Sequence, residues 1–386
     1  MLFRSIKGNG KKRPLLLMGH TDTVNVDPKK WSHPPFSADR EEGYIYGRGT
    51  VDDKDNVVGT LMTMLMLKRM NVPLDRDVIA LFEAGEEGSS SLGIQFMANS
   101  HYDAIDAEYC FAEQGGVPKL RGRALYGLVQ TSEKHARTLE LVARGVSGHA
   151  SVPLESNAIA HLAAAIQALA RWEPTPRLND TTRTYFEKLA TISTPDMAAR
   201  YNGLLDPKRA AASQKYLAEN EPDRYSMLRT SVVPTMLKAG TGPNVIPSEA
   251  EATLDIRALP DENITTFYAE MQKVIHDPAV KIVPLPATRP FSPASRLDTE
   301  MYRILERTAQ KMYPKTTVLP TMSTGASDMA QLRAKGIQSY GLGPATTRED
   351  RINYGPHSDV ERMPEASVYK FVEFVWTAVT EVAASK

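Results

Sequence analysis

The stretch LLLMGHTDTV, Leu15–Val24, decides the fold. Leu15 to Met18 form an unbroken apolar run, the pattern of a strand buried on both faces of a parallel sheet. The run turns polar at once, with His20 and Asp22 one residue apart. In open α/β sheets ligands bind where strands end at their carboxyl edge. The stretch reads either as a polar strand end or as the first half of a site whose other members lie far along the chain.

Working outward, NVVGTLMTMLMLKRM (Asn56–Met70) reads as a helix apolar on most sides, RDVIALFEAGEE (Arg76–Glu87) as a second strand and AEYCFAEQ (Ala107–Gln114) as a third. Strand, helix, strand at this spacing implies parallel pairing in an α/β layer sandwich, with its first strand about a dozen residues in. Each run carries acidic or imidazole groups at its C-terminal end: His20 and Asp22, then Glu86 and Glu87, then Glu113.

A different rhythm begins near Ser132. ARTLELVARG alternates like a half-exposed strand, a helix follows around NAIAHLAAAIQALARW, and then come SVVPTMLKAG, EAEATLDIRAL, a helix around ITTFYAEMQKVIH and VKIVPL. Strand, helix, strand, strand, helix, strand is the order of a ferredoxin-like unit. The expected organisation is an α/β domain in two parts, residues 1–132 and 288–386, interrupted by an inserted α+β domain, residues 133–287. Glu173 to about Met227 is too long for a plain loop and reads as a helical embellishment. After Thr288 the α/β pattern resumes with a helix in RLDTEMYRILERTAQKMY, a strand in GIQSYGLGP and a terminal amphipathic helix from Pro364.

Composition narrows the function. The 386 residues carry 46 basic and 46 acidic side chains, so no net charge draws the protein to nucleic acid or an anionic membrane. Cys110 is the single cysteine, which excludes an intramolecular disulfide and leaves only His and carboxylates to build a zinc site. No apolar run approaches the roughly 20 residues that span a bilayer, and MLFRSIKGNGKKRP lacks the apolar core of a signal peptide. The sequence reads as a soluble protein, cytoplasmic or exported, and its abrupt start raises the expectation of a cleaved leader or a truncated beginning.

The candidate metal ligands are His20, Asp52 in YGRGTVDDKDN, Glu86 or Glu87 in AGEEGSS, Glu113 in CFAEQGG and His357 in GPHSD. One imidazole and two or three carboxylate oxygens per ion suit two metals sharing a bridging carboxylate. Singly, each has a plain structural reading: a hydrogen-bonded strand-end His, solvated acids in a turn, or Asp52 capping a helix. All sit beside Gly-bearing turns at expected strand ends, and the plain reading has to be invoked five times.

The motifs MGHTDTV, YGRGTVDDKDNVV, EAGEEGSSSLG, AEQGG, GVSGHASVP, PNVIPSEAEATLDIRALP and GPHSDVERM resemble, in order and spacing, those of the dinuclear zinc peptidases of the M20 family. The resemblance implies a three-layer zinc-peptidase catalytic domain with an inserted ferredoxin-like lid through which two copies dimerise. It implies that His20 and Glu113 bind one zinc, Glu87 and His357 the other, and Asp52 bridges them, with Co2+ or Mn2+ also accommodated. It further implies that the Asp22 carboxylate orients His20, that Glu86 is the general base, and that His149 of the inserted domain, which in this family often reaches the site from the partner subunit, donates to the oxyanion. Asn244 and Arg257 match positions that bind the substrate's free carboxylate, and Gly325, in STGASD, a glycine lining the substrate pocket.

Among relatives, Glu at the position of Glu113 tends to accompany carboxypeptidases and deacylases. The motifs look most like the carboxypeptidase S and N-fatty-acyl-amino-acid hydrolase branch, although an acid commonly stands where Gln114 is. The expected substrate is a small peptide or N-acyl amino acid with a free carboxylate. A dipeptidase, a carbamoyl-amino-acid amidohydrolase and a non-catalytic binding protein on the same fold are the alternatives. Relatives also carry a helical segment before the first strand.

Overall fold

The computed structural model describes residues 2–385. Leu15–His20 forms a strand with every residue buried, as its composition requires. Its side chains alternate between two cores. Leu15 and Leu17 pack with Met64, Leu67, Phe371 and Phe374 on one face, and Leu16 and Met18 with Ile94, Met97, Met329 and Leu332 on the other. Two covered faces are what a continuous apolar run, rather than an alternating one, specifies.

This strand lies within a seven-stranded sheet of order Leu2–Ile6, Val78–Glu83, Leu15–His20, Tyr109–Ala112, Gln338–Gly341, Tyr126–Glu133 and Thr317–Ser323. Leu15–His20 pairs in parallel with Val78–Glu83 and with Tyr109–Ala112, and the latter in parallel with Gln338–Gly341. Their carboxyl ends therefore share one edge. The sheet is mixed, not purely parallel, because Leu2–Ile6 adds an antiparallel edge strand and Gln338–Gly341 meets Tyr126–Glu133 antiparallel. The strand Leu2–Ile6 (LFRSI) corrects the expectation that the first strand starts a dozen residues in; it is too short and mixed to show in the pattern.

Helices Lys54–Arg69, Glu300–Met312 and Glu365–Ala383 cover one face of the sheet, and Ile94–Ser100 and Met329–Ala334 the other. Gly59 allows a close helix crossing, since a Cβ there would stand 3.2 Å from Val375 and 3.3 Å from Phe371. Gly19 does the same beside the future site, where a Cβ would meet the Asp53 carboxylate at 3.1 Å.

The second sheet is antiparallel. Ser231–Ala239, Glu249–Ala258, Leu139–Arg144 and Val280–Pro284 lie side by side in that order, with His135–Ala136 completing five strands. One face carries helices Ala158–Arg171 and Ile264–Ile275, a ferredoxin-like arrangement closed over Leu139, Leu141, Leu162, Leu254, Phe267 and Met271. The segment 173–227 is helical as expected, containing Asp180–Thr191, Pro195–Gly203, Ala210–Asn220 and Pro222–Ser226. These helices pack not on the inserted sheet but on the main one, where Phe186 and Leu189 meet Leu319 and Met322.

Candidate metal centre

His20 is the last residue of its strand and is 1% exposed. Its Nδ1–H donates to the carbonyl oxygen of Asp22 at 3.0 Å, and its Nε2 lies 2.8 Å from Asp52 Oδ1. The Asp22 carboxylate stands 3.6 Å from Nδ1, beyond a direct hydrogen bond. Both the carbonyl and the carboxylate of Asp22 thus face the Nδ1 side of the ring, the carbonyl at hydrogen-bond distance. The carboxylate also accepts the backbone N–H groups of Glu86, at 3.3 Å, and Glu87, at 3.1 Å. Burial raises its pKa, but His20 and the backbone N–H groups of Glu87 and Gly85 outweigh burial and hold it down at about 2.

Asp52 precedes the helix Lys54–Arg69, and Asp53, the next residue, is that helix's N-cap. The Asp53 carboxylate accepts the backbone N–H of His20 at 3.1 Å, tying the helix start to the strand end. Two donor groups result. Ligand atoms of His20, Asp52 and Glu113 lie within 4.8 Å of one another, as do those of Asp52, Glu87 and His357. His357 sits in a turn at φ +65°, its Nε2 2.9 Å from Glu87 Oε1 and 3.4 Å from Asp52 Oδ2. Asp52 belongs to both groups.

The charge balance of this region is unusual. Burial pushes the Glu113 carboxyl well above its ordinary range, Asp53 to about 7 and Glu86 to about 8, neighbouring acids adding to the effect. His20, although its burial opposes charge, is pushed strongly upward by Asp22 and Asp52. So many acidic groups packed around two imidazoles leave room for cations, and the donors are nitrogen and oxygen only. That set fits zinc, cobalt or manganese, and each group could hold one ion.

Several site residues escaped the sequence. Glu361, 0% exposed, accepts from Arg48 at 2.8 Å and from the backbone N–H groups of Gly49, Val51 and Asp52 at 3.0, 2.8 and 3.2 Å. It thereby shapes the loop that presents Asp52. Arg289 pairs with Glu86 and, at 3.2 Å, with Asp328, which is 1% exposed. Glu361 lies within the quoted motif GPHSDVERM and Asp328 within STGASD; Arg289 stands in TRPFSP without a signal of its own.

The remaining expected residues lie elsewhere. His149 is exposed, its Nδ1 2.8 Å from Ser151 Oγ, and the pairing of Gly148–His149 with Val245–Ile246 in a separate two-stranded sheet sets it beside Asn244. Among the described residues no hydrogen bond or ion pair links His149 or Asn244 to the ligand groups. Arg257 is engaged by Asp255, with Nε 2.8 Å from Oδ1 and Nη2 3.0 Å from Oδ2. Asp255, two residues before it on the same strand, thus holds the Nε and Nη2 edge of its fork. Gly325 is exposed, and a Cβ there would meet only Ser323 Oγ, at 3.5 Å, so crowding within the protein does not require glycine.

A sheet with carboxylate and imidazole clusters at its carboxyl edge, carrying a ferredoxin-like insertion, defines the class: an α/β metallopeptidase fold. The family model of peptidase family M20/M25/M40 matches residues 16–381, and the chain belongs to that family. It is 30% identical over 332 residues to a probable carboxypeptidase S-like 2 protein of Dictyostelium discoideum, covering 82% of this chain and 62% of that one. It is also 30% identical over 372 residues to the N-fatty-acyl-amino acid synthase/hydrolase PM20D1 of Xenopus tropicalis, covering 94% and 71%. The chain thus spans less than two thirds of the first relative. Among solved structures, an M20 family metallo-carboxypeptidase of Sulfolobus solfataricus superposes with a TM-score of 0.73 at 21% identity, over 98% of this chain and 86% of that one. No helix among the described residues is long and apolar enough to cross a membrane.

Proposed function

We propose that the protein is a metal-dependent hydrolase that cleaves the amide bond of a small peptide or N-acyl amino acid bearing a free carboxylate. The observation that carries this reading is the pair of donor groups sharing Asp52, with Glu86 alongside. His20 and Glu113 would hold one ion, Glu87 and His357 the second, and Asp52 both. When bound, such ions polarise the amide carbonyl and make water acidic enough to lose a proton near neutral pH.

The chain's own groups do the rest. Glu86 accepts the proton of the attacking water and returns it to the departing amine. Arg289 keeps the Glu86 carboxylate facing the site, and Asp22 fixes the backbone of the Glu86–Glu87 pair so that adjacent acids divide into base and ligand. Residues 133–287 would supply the lid, with His149 donating to the developing oxyanion and Asn244 beside it binding the substrate. The exposure of His149 fits a role across a dimer interface formed by this region.

Glu86→Gln should keep its full metal content while turnover falls on the order of thousands of fold. Near-normal turnover in that variant would reject the assignment. Release of amino acid from N-acyl amino acids and blocked dipeptides is expected; cleavage confined to substrates with a free amine would refute the preferred substrate class.

A further inference from the structure

A second cavity, of about 590 Å³, opens between the helical segment 180–226 and the carboxyl ends of Tyr126–Glu133 and Thr317–Ser323. Gln114 and Gly115 line both this cavity and the smaller one that contains Asp52 and Glu113. Gln114 directly follows Glu113 at φ +76°, a left-handed conformation that turns the chain away from the strand, and Ser323 Oγ donates to its Oε1 at 3.4 Å. Gln114 and Gly115 thus form a wall shared by this space and the cavity of the donor groups.

The lining has two characters. Leu128, Tyr185, Met227 and Met322 offer an apolar floor. Around it stand Thr321, Ser323, Thr324 and Asn220, together with the Gln114 amide. Arg224 also lines the cavity, but Glu221 and the hydroxyls of Tyr185 and Tyr201 already occupy its guanidinium. Arg348 and Asp223 differ: both are exposed lining residues, and neither has an ion-pair partner among the described residues.

We propose that this cavity receives the part of the substrate extending beyond the scissile amide, that it takes a peptidyl segment rather than a fatty-acyl chain, and that Arg348 and Asp223 set specificity there. The inference rests on the hydrolase reading above. An alkyl chain filling the space would cover the Thr321 and Thr324 hydroxyls and the Gln114 Nε2–H groups, which have no hydrogen-bond partner among the described residues, and would cost free energy for each group left unsatisfied. A peptide presents alternating N–H and C=O groups to those side chains and sets small apolar side chains on the floor. Arg348 and Asp223, without ion-pair partners among the described residues, favour substrate side chains of the opposite charge to each.

The test uses the metal-loaded full chain and three substrates releasing phenylalanine: N-dodecanoyl-phenylalanine and two tetrapeptides ending in phenylalanine, with glutamate or lysine at the second position. The peptides should exceed the dodecanoyl compound in kcat/KM by at least about tenfold. Arg348→Glu should shift the glutamate-to-lysine ratio of kcat/KM by roughly fivefold toward lysine, and Asp223→Lys by a similar factor toward glutamate, the size expected of an exposed charge contact. A preference for the dodecanoyl substrate, or a ratio unmoved by both variants, overturns the proposal. If no substrate is cleaved, the hydrolase reading fails, and calorimetric binding of the two peptides reads the same ratio: a ratio moved by the variants upholds the subsite, and absence of peptide binding overturns it.

Discussion

Replacing Glu361 by Gln tests how far a buried carboxylate controls the metal-binding loop. Its two oxygens accept four donors, one from Arg48 and three from backbone N–H groups at Gly49, Val51 and Asp52. The Arg48 and Glu361 side chains are 3% and 0% exposed. Removing one partner of a buried pair costs about 3–5 kcal/mol because the other charge stays buried and uncompensated. Gln keeps the volume and one acceptor, but its amide nitrogen must face N–H donors. We therefore expect a loss of about 2–4 kcal/mol in denaturant unfolding, and, because Asp52 is positioned by the same oxygens, a fall in metal affinity of about 10–100-fold. Arg48→Met at the same locus should lower stability with a smaller effect on metal, since it leaves the three backbone bonds. Stability within about 1 kcal/mol of the parent and unchanged metal affinity for Glu361→Gln would refute the reasoning.

His20→Ala should reduce the bound metal by one equivalent in elemental analysis, and unchanged stoichiometry would contradict its assignment. The metal-free protein should lose stability as pH rises from about 5 to 8: Glu86 and Asp53, pushed up to about 8 and 7, hold protons in the folded chain that the unfolded chain has released. His20, raised in the fold, acts in the same direction above its unfolded pKa. Divalent cations should flatten this slope, and a melting temperature that rises with pH in the chelated protein would oppose the account. Lys134, buried with only Ser226 and Ser231 at 3.2 Å from its Nζ, is lowered to about 7 by burial and by Arg229 and Arg257. Lys134→Met should raise stability at pH 7 by about 1–2 kcal/mol in thermal unfolding, whereas destabilisation would show the ammonium to be needed.

The contrast between the readable and the unreadable parts follows from how each residue is held. Leu15–His20, Val78–Glu83 and Tyr109–Ala112 could be read because burial on both faces selects unbroken apolar runs. Tyr126–Glu133 could not. Its second half, Gln130 to Glu133, is polar yet buried, because Arg333 inserts against it and bonds Gln130 at 2.6 Å and Glu133 at 2.9 Å. That strand's burial is satisfied by a side chain 200 residues away, which local periodicity cannot register. For Arg257 the motif position was legible, but the pair it makes with Asp255 was not.

By itself the sequence determined the alternation of strands and helices, the ferredoxin-like insertion and the residues His20, Asp52, Glu86, Glu87, Glu113 and His357 as a candidate set. Apolar period and strand-end chemistry are local properties, written within a few residues of each other. Only the tertiary structure decided that the Asp22 carbonyl bonds the His20 ring while its carboxylate holds the Glu86 and Glu87 backbone, and that Glu361 and Arg289 brace the loop and the base. Those assignments depend on distances of a few ångströms between groups far apart in the chain, and such distances exist only once the sheet has brought their strand ends to one edge.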